Sequence, residues 1–183
     1  VRAPGGAFTG IGAADRSGCS TREEYKMRDI YISPIKAVLH CTDDPALDFI
    51  LCTSEDYLSK PLPSNVLRLD FRDTVDVDDP AAFSAQLAAD VASFLQRPDA
   101  RPELFVCCDC GVSRSAALAA AIRCADGGSD FSIWDDPNYM PNPLVYRLMC
   151  EALGLGVSEQ ELKERLNFNA AARWAAFSHF ANQ

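Results

Sequence analysis

Cys108 and Arg114, six positions apart, are the side chains whose types and spacing best suit covalent chemistry on an anion. They belong to the segment Leu104–Ile122, LFVCCDCGVSRSAALAAAI, which reads as strand, tight loop and helix. The loop Asp109-Cys110-Gly111-Val112-Ser113 can turn successive backbone N–H groups toward one centre, and the following helix start adds unsatisfied donors and its positive dipole end. Such a cradle suits a tetrahedral dianion, and the same field lowers the pKa of a thiol at its base. Arg114 offers a planar fork for two phosphate oxygens, a geometry Lys lacks. Gly111 supplies a turn conformation that other residues adopt only at a cost.

Two other uses of these cysteines come from the same residues. Cys107, Cys108 and Cys110 are soft-metal ligand types, but the chain has only two histidines, His40 and His179, without ligand spacing, so no metal is expected. A low-pKa Cys108 could be oxidised and trapped by Cys110 or another nearby thiol. His40-Cys41 makes a second candidate pair, but Leu47 stands six positions after Cys41, so no anion loop follows it.

A loop of this kind needs a sheet edge behind it. Short apolar runs bounded by Asp, Pro or Ser read as strands: Ala37-Val38-Leu39, Phe49–Cys52, Val66–Leu69 and Leu104–Cys107. Asp78-Asp79-Pro80 reads as a helix start, with Phe83, Leu87, Val91 and Leu95 on one face and an end near Gln96-Arg97-Pro98. Ser115–Ile122 is a run of strong helix formers. A helix is expected from Pro143 to Leu153, closed by Gly154, after a loop holding Trp134, Asp135 and Asp136. Ser158 and Glu161 form a capping-box pattern before a last helix whose Leu162, Leu166, Trp174 and Phe177 are expected in the core. Strands alternating with helices predict a single α/β domain with a central, mostly parallel sheet of four or five strands and helices on both faces. The Gly-rich, polar residues 1–26 read as a leader or tag, weakly ordered, and 27–183 as the domain with a helical C-terminal segment.

The 183 residues hold 17 Lys plus Arg against 26 Asp plus Glu, a net charge of −9. Such a surface repels nucleic acid and anionic membranes, so neither is expected as a partner, and an anionic substrate needs a local trap. Eight cysteines, three of them crowded between 107 and 110, do not resemble a secreted disulfide framework. With no apolar run near the roughly 20 residues of a bilayer span, a reducing, cytoplasmic location is expected.

Cys108-x5-Arg114-Ser115, with Gly111 and Ser113 inside it, resembles the signature loop of the cysteine-dependent protein tyrosine phosphatases, closest to the dual-specificity branch. The stretch Val66–Thr74, VLRLDFRDT, is similar to that branch as well, with Asp73 lying 35 residues before Cys108 and followed by Thr74. The likeness covers Ile35 to Leu153. It implies a phosphotyrosine-phosphatase-like fold and metal-independent, cofactor-free hydrolysis of a phosphorylated protein or peptide through a cysteinyl-phosphate. In that scheme Cys108 is nucleophile, and Arg114 with the amides of Asp109, Cys110, Gly111, Val112 and Ser113 binds phosphate. Asp73 is general acid and base, with Asp70 and Asp76 as nearby rivals, and Ser115 supports the leaving thiolate. Tyr139–Tyr146, YMPNPLVY, is similar to a segment of bacterial members, where Asn142 would line the cleft or simply cap a helix before Pro143. Cys107 stands where the family usually has His, and Cys110 where a small residue is common. The phosphotyrosine-gripping loop of the larger tyrosine-specific enzymes is not visible, which implies a shallow pocket open to phosphotyrosine, phosphoserine or phosphothreonine. Alternative readings on the same loop are a small-molecule or inositol-phosphate phosphatase and a phosphate-binding pseudophosphatase.

Overall fold

The computed structural model describes residues 27–53, 55, 57 and 61–181, so the expected leader over 1–26 lies outside the described residues. Four short segments form one sheet: β1 (Asp29–Pro34), β2 (Leu47–Cys52), β3 (Val66–Leu69) and β4 (Glu103–Cys108). Their order is β1-β4-β2-β3 and every pair is parallel. A parallel sheet is covered on both faces, which explains why its central strands are apolar at nearly every position. Ile50 and Cys52 of β2 and Leu104, Val106 and Cys108 of β4 enter the larger core. The intervening Phe49, Leu51 and Cys107 enter a smaller one with Ile35 and Val38.

The helices are α1 (Ile35–Val38), α2 (Ala85–Leu95), α3 (Arg114–Ala125), α4 (Phe131–Trp134), α5 (Pro143–Ala152) and α6 (Glu159–Ala181), with a 3-10 turn at Leu39–Cys41. α3 is buried from Arg114 to Ile122, and its alanines let it lie close against β1, β4 and α5. The expected α/β domain with a parallel sheet flanked by helices is therefore present, with four strands.

Four local expectations need correction, the fourth being the loop expected around Trp134, which lies on α4. Ala37-Val38-Leu39 is helical, and the strand lies just upstream at β1. Pro34 ends that strand, and Ile35 and Val38 are buried while Lys36 and Ala37 are exposed, a spacing of three rather than two. The acids before Pro80 do not cap α2. Asp79 accepts the Ala81 N–H at 2.9 Å inside a turn, and the helix begins later, where Ser84 Oγ accepts from Leu87 N at 3.3 Å. Trp174 and Phe177 are not in the core but 71 % and 66 % exposed, because α6 runs on past the domain's edge after the buried Asn169.

The expectations for α5 and for the start of α6 hold. Asn142 caps α5, Pro143 occupies its first turn, and Gly154 follows it with φ +72°. Ser158 and Glu161 exchange bonds as a capping box, Ser158 N donating to Glu161 Oε2 at 2.8 Å and Glu161 N to Ser158 Oγ at 3.2 Å. Asp130 ties α4, α5 and α6 together by accepting from Trp134 Nε1 at 2.9 Å, Tyr146 OH at 2.7 Å and Arg165 Nε at 2.8 Å. Among the described residues no helix is long and apolar enough to cross a membrane.

Candidate active site

Because all four strands run parallel, their C-terminal ends share one edge of the sheet, where ligands of open α/β sheets bind. β4 delivers Cys108 there and β3 delivers the segment after Leu69. Between Cys108 and α3 the chain turns through Gly111 at φ +70°, and a Cβ at that position would come within 2.7 Å of Pro34 N at the end of β1. Glycine is therefore required twice, for the dihedral and for the close approach.

Cys108 is 2 % exposed, with its Sγ 3.1 Å from Ser115 Oγ. Burial alone would push this thiol up. The Ser115 hydroxyl and the backbone N–H groups of Ser115, Val112 and Ser113 outweigh burial and hold it below the ordinary cysteine value. A lowered thiol at the base of such a loop is the chemistry a cysteine nucleophile needs. Cys107 does not take part in this: its side chain belongs to the other face of the sheet, and burial pushes it up to about 12. Cys107 is thus a packing thiol, and the lowering at Cys108 comes from the loop.

Arg114 is buried beneath the same loop. Its Nη1 donates to the Phe71 carbonyl at 3.1 Å and its Nη2 to Asp109 Oδ2 at 2.6 Å, while Nε has no hydrogen-bond partner among the described residues. A buried guanidinium N–H without an acceptor is costly unless an anion completes it. The Phe71 carbonyl locks the guanidinium to the segment after β3, which keeps the fork from turning away.

Asp73 is exposed but held. Its Oδ1 accepts from Ser113 Oγ at 2.9 Å and from Asn142 Nδ2 at 2.8 Å. Asn142 also donates to the Thr74 carbonyl at 3.0 Å, and its Oδ1 accepts from Leu144 N and Val145 N at 3.0 and 3.2 Å. The cap reading of Asn142 holds, its oxygen serving the helix, while its nitrogen holds Asp73; at 4 % exposed the side chain lies behind Asp73 and is not among the residues lining the cleft. The loop and this segment are further sewn together by Met140 N donating to the Val112 carbonyl at 3.0 Å and Asn142 N to the Ser113 carbonyl at 3.4 Å.

One cleft is lined by Asp70, Phe71, Arg72, Asp73, Ala81, Asp109 and Arg114. Asp70 thus sits at the mouth with Asp73, but only Asp73 is bonded to the loop and to Asn142. Asp76, the other rival, is turned to the Asp78 N–H at 3.0 Å. Cys110 is exposed on the loop, whereas Cys52, on the neighbouring strand, is the register partner of Cys108 and shares its core. His40 and Cys41 lie in the 3-10 turn, with Cys41 Sγ donating to the Val38 carbonyl at 3.1 Å. Among the described residues no group of three or more His, Cys, Asp and Glu is arranged to hold a metal ion.

The sequence pattern did not reveal the Phe71 carbonyl, a backbone atom that leaves no side-chain signal, or the engagement of Asp109 with Arg114. Comparison with protein-family models and with curated proteins finds no match to this chain.

Proposed function

We propose that the chain is a phosphomonoester hydrolase working through a cysteinyl-phosphate, of the protein tyrosine or dual-specificity phosphatase kind that its loop resembles. The observation that carries this reading is Cys108 at the base of a ring of amides, its thiol lowered, beside the buried and unpartnered Nε of Arg114. In the first step the Cys108 thiolate attacks phosphorus in line with the ester oxygen. The S–P bond forms as the P–O bond breaks, and the Asp73 carboxyl gives its proton to the departing alkoxide or phenoxide. The amides of the loop and Arg114 take the charge on the equatorial oxygens. In the second step Asp73, now a carboxylate, takes a proton from water as it attacks phosphorus, and the Ser115 hydroxyl stabilises the leaving Cys108 thiolate. Phosphate leaves, and the Cys108 thiolate and the Asp73 proton are restored. The shallow pocket that the resemblance implies would take phosphotyrosine, phosphoserine and phosphothreonine alike as the ester.

One observation favours the binding-only alternative: the Asp109 carboxylate sits on the guanidinium that phosphate needs. Turnover separates the two. With p-nitrophenyl phosphate between about pH 5 and 7, where general acid catalysis and a lowered thiol overlap, the wild type is expected to turn over and Cys108→Ser to be inactive. Phosphate binding with no Cys108-dependent turnover overturns the hydrolase reading.

A further inference from the structure

The Asp109–Arg114 pair joins a fixed partner to a free one. The Arg114 side chain is 9 % exposed and tied to the Phe71 carbonyl, whereas the Asp109 side chain is 40 % exposed and anchored only through its carboxylate. A phosphoryl group seated on the loop amides and Nε needs Nη2 as well, because bidentate capture uses both edges of the fork. It therefore meets Asp109 Oδ2 at the same nitrogen, Nη2, where two anions crowd one another. The carboxylate that is displaced stays at the mouth, where Asp70 and Asp73 already stand. Arg72 and Arg114 line the same cleft, which leaves the carboxylates in excess of the cations by one. Arg72 is turned to Asp79 at 2.8 Å, and on the far side of the loop Lys36 lies over the Tyr57 ring, 6.0 Å from its centre. The charge of Asp109 reaches Tyr57, where Glu55 adds another carboxylate.

We propose that Asp109 is a specificity residue. It tunes the site toward a single phosphate ester on a peptide with Lys or Arg flanking the phosphorylated residue, and against polyphosphorylated small molecules. The inference rests on the hydrolase reading for its substrate and on the Asp109–Arg114 contact for its mechanism. A cation beside the ester pairs with the displaced carboxylate and its two neighbours, so displacement costs little. A second phosphate in that position meets three carboxylates instead. Specificity here comes from repulsion of the wrong substrate as much as from attraction of the right one. This also suits a chain of net charge −9, whose long-range field draws cationic peptides and repels polyanions.

The test uses the full chain and two phosphotyrosyl peptides of equal length, with Lys or with Glu on both sides of the phosphotyrosine, beside an inositol bisphosphate. The wild type is expected to favour the Lys peptide in kcat/KM. Asp109→Asn, which keeps the size and the loop amides, is expected to narrow that preference about fivefold and to raise activity on the inositol bisphosphate. Inorganic phosphate, titrated calorimetrically, is expected to bind Asp109→Asn more tightly than wild type. Asp70→Asn, which lines the mouth without touching Arg114, is expected to weaken the preference and to tighten phosphate binding less than Asp109→Asn does. An unchanged phosphate affinity in Asp109→Asn, or a wild type that prefers the Glu peptide, overturns the inference. No turnover of any ester together with tightened phosphate binding overturns the hydrolase reading alone.

Discussion

Asn142 performs two jobs with two atoms, and substitution can take them apart. Asn142→Ser keeps an oxygen at the cap of α5, since serine is among the best N-caps, but removes the Nδ2 that reaches Asp73 at 2.8 Å and the Thr74 carbonyl at 3.0 Å. Asn142→Ala removes both functions. Loss of the cap alone costs about 1 kcal/mol of stability, so the alanine variant should unfold at lower urea than the serine variant by that amount. The bond to Asp73 is to a carboxylate, and such bonds contribute about 1.5–3 kcal/mol. Ser113 Oγ still holds Asp73 Oδ1 at 2.9 Å in either variant, so the lower end of that range applies. At 1.36 kcal/mol per decade, kcat/KM should fall about tenfold in both variants alike. The fall should depend on the leaving group. A phosphotyrosyl peptide, whose phenol has a pKa near 10, needs the Asp73 proton far more than p-nitrophenyl phosphate, whose anion leaves readily. The assay is kcat/KM on both substrates beside a urea transition for each variant. If Asn142→Ser hydrolyses the peptide at the wild-type rate, or both substrates fall in the same proportion, Asn142 does not position a general acid and the argument fails.

Three further outcomes follow from the geometry. Ser115→Ala removes the hydroxyl 3.1 Å from Cys108 Sγ, so the thiol pKa rises, the rising limb of the kcat/KM profile moves to higher pH, and breakdown of the phosphoenzyme slows about tenfold or more. An unmoved limb would show that the amides alone set the thiolate. Asp130 is buried, which by itself raises a carboxyl, but the bonds from Tyr146, Arg165 and Trp134 hold it below the usual carboxylate value. A depressed folded pKa contributes stability above the unfolded value of about 3.9 and loses it as pH falls through the lower folded value. Asp130→Asn should therefore cost roughly 2 kcal/mol in urea unfolding at pH 7, with the gap to wild type closing only below about pH 4. A gap of equal size at pH 3 would refute the ionised role. Peroxide should convert Cys108 to a sulfenic acid, with water as the reduced product, and the Cys52 thiol should then displace that oxygen as water to close a disulfide. Register partners on adjacent strands lie about 4.8 Å apart, inside the disulfide range. Peptide mapping should find Cys52–Cys108, and a Cys108–Cys110 bridge instead would contradict it.

What could be read from the sequence was what the chain packs into few consecutive residues. The anion loop lies within Cys108–Ser115, so its donors, its thiol and its cation are bound by covalent spacing, and the structure keeps them together. Asp73 and Asn142 were visible as residue types but not as partners, because 69 positions separate them and only the sheet's shared edge brings them together. β1 escaped notice because it is an edge strand whose Ile30 and Ile32 are only half-buried. Ala37-Val38-Leu39 looks extended by composition, but Pro34 before it and the three-residue spacing of the buried Ile35 and Val38 make it helical. Trp174 and Phe177 carry the aromatic signature of a core yet lie exposed on α6. Periodicity shows a face, not whether another element lies against it. The hold of Asp109 on Arg114 depends on rotamers that spacing does not encode.

The central claim is that phosphorus passes through the sulfur of Cys108. Rapid quenching of the wild-type protein in acid during turnover of a radiolabelled phosphotyrosyl peptide should trap label on one peptide, the one containing Cys108, as an acid-stable thiophosphate. Ser115→Ala should accumulate more of it, and Cys108→Ser none. Label on any other residue, or turnover that survives in Cys108→Ser with no trapped phosphoenzyme, would contradict the account.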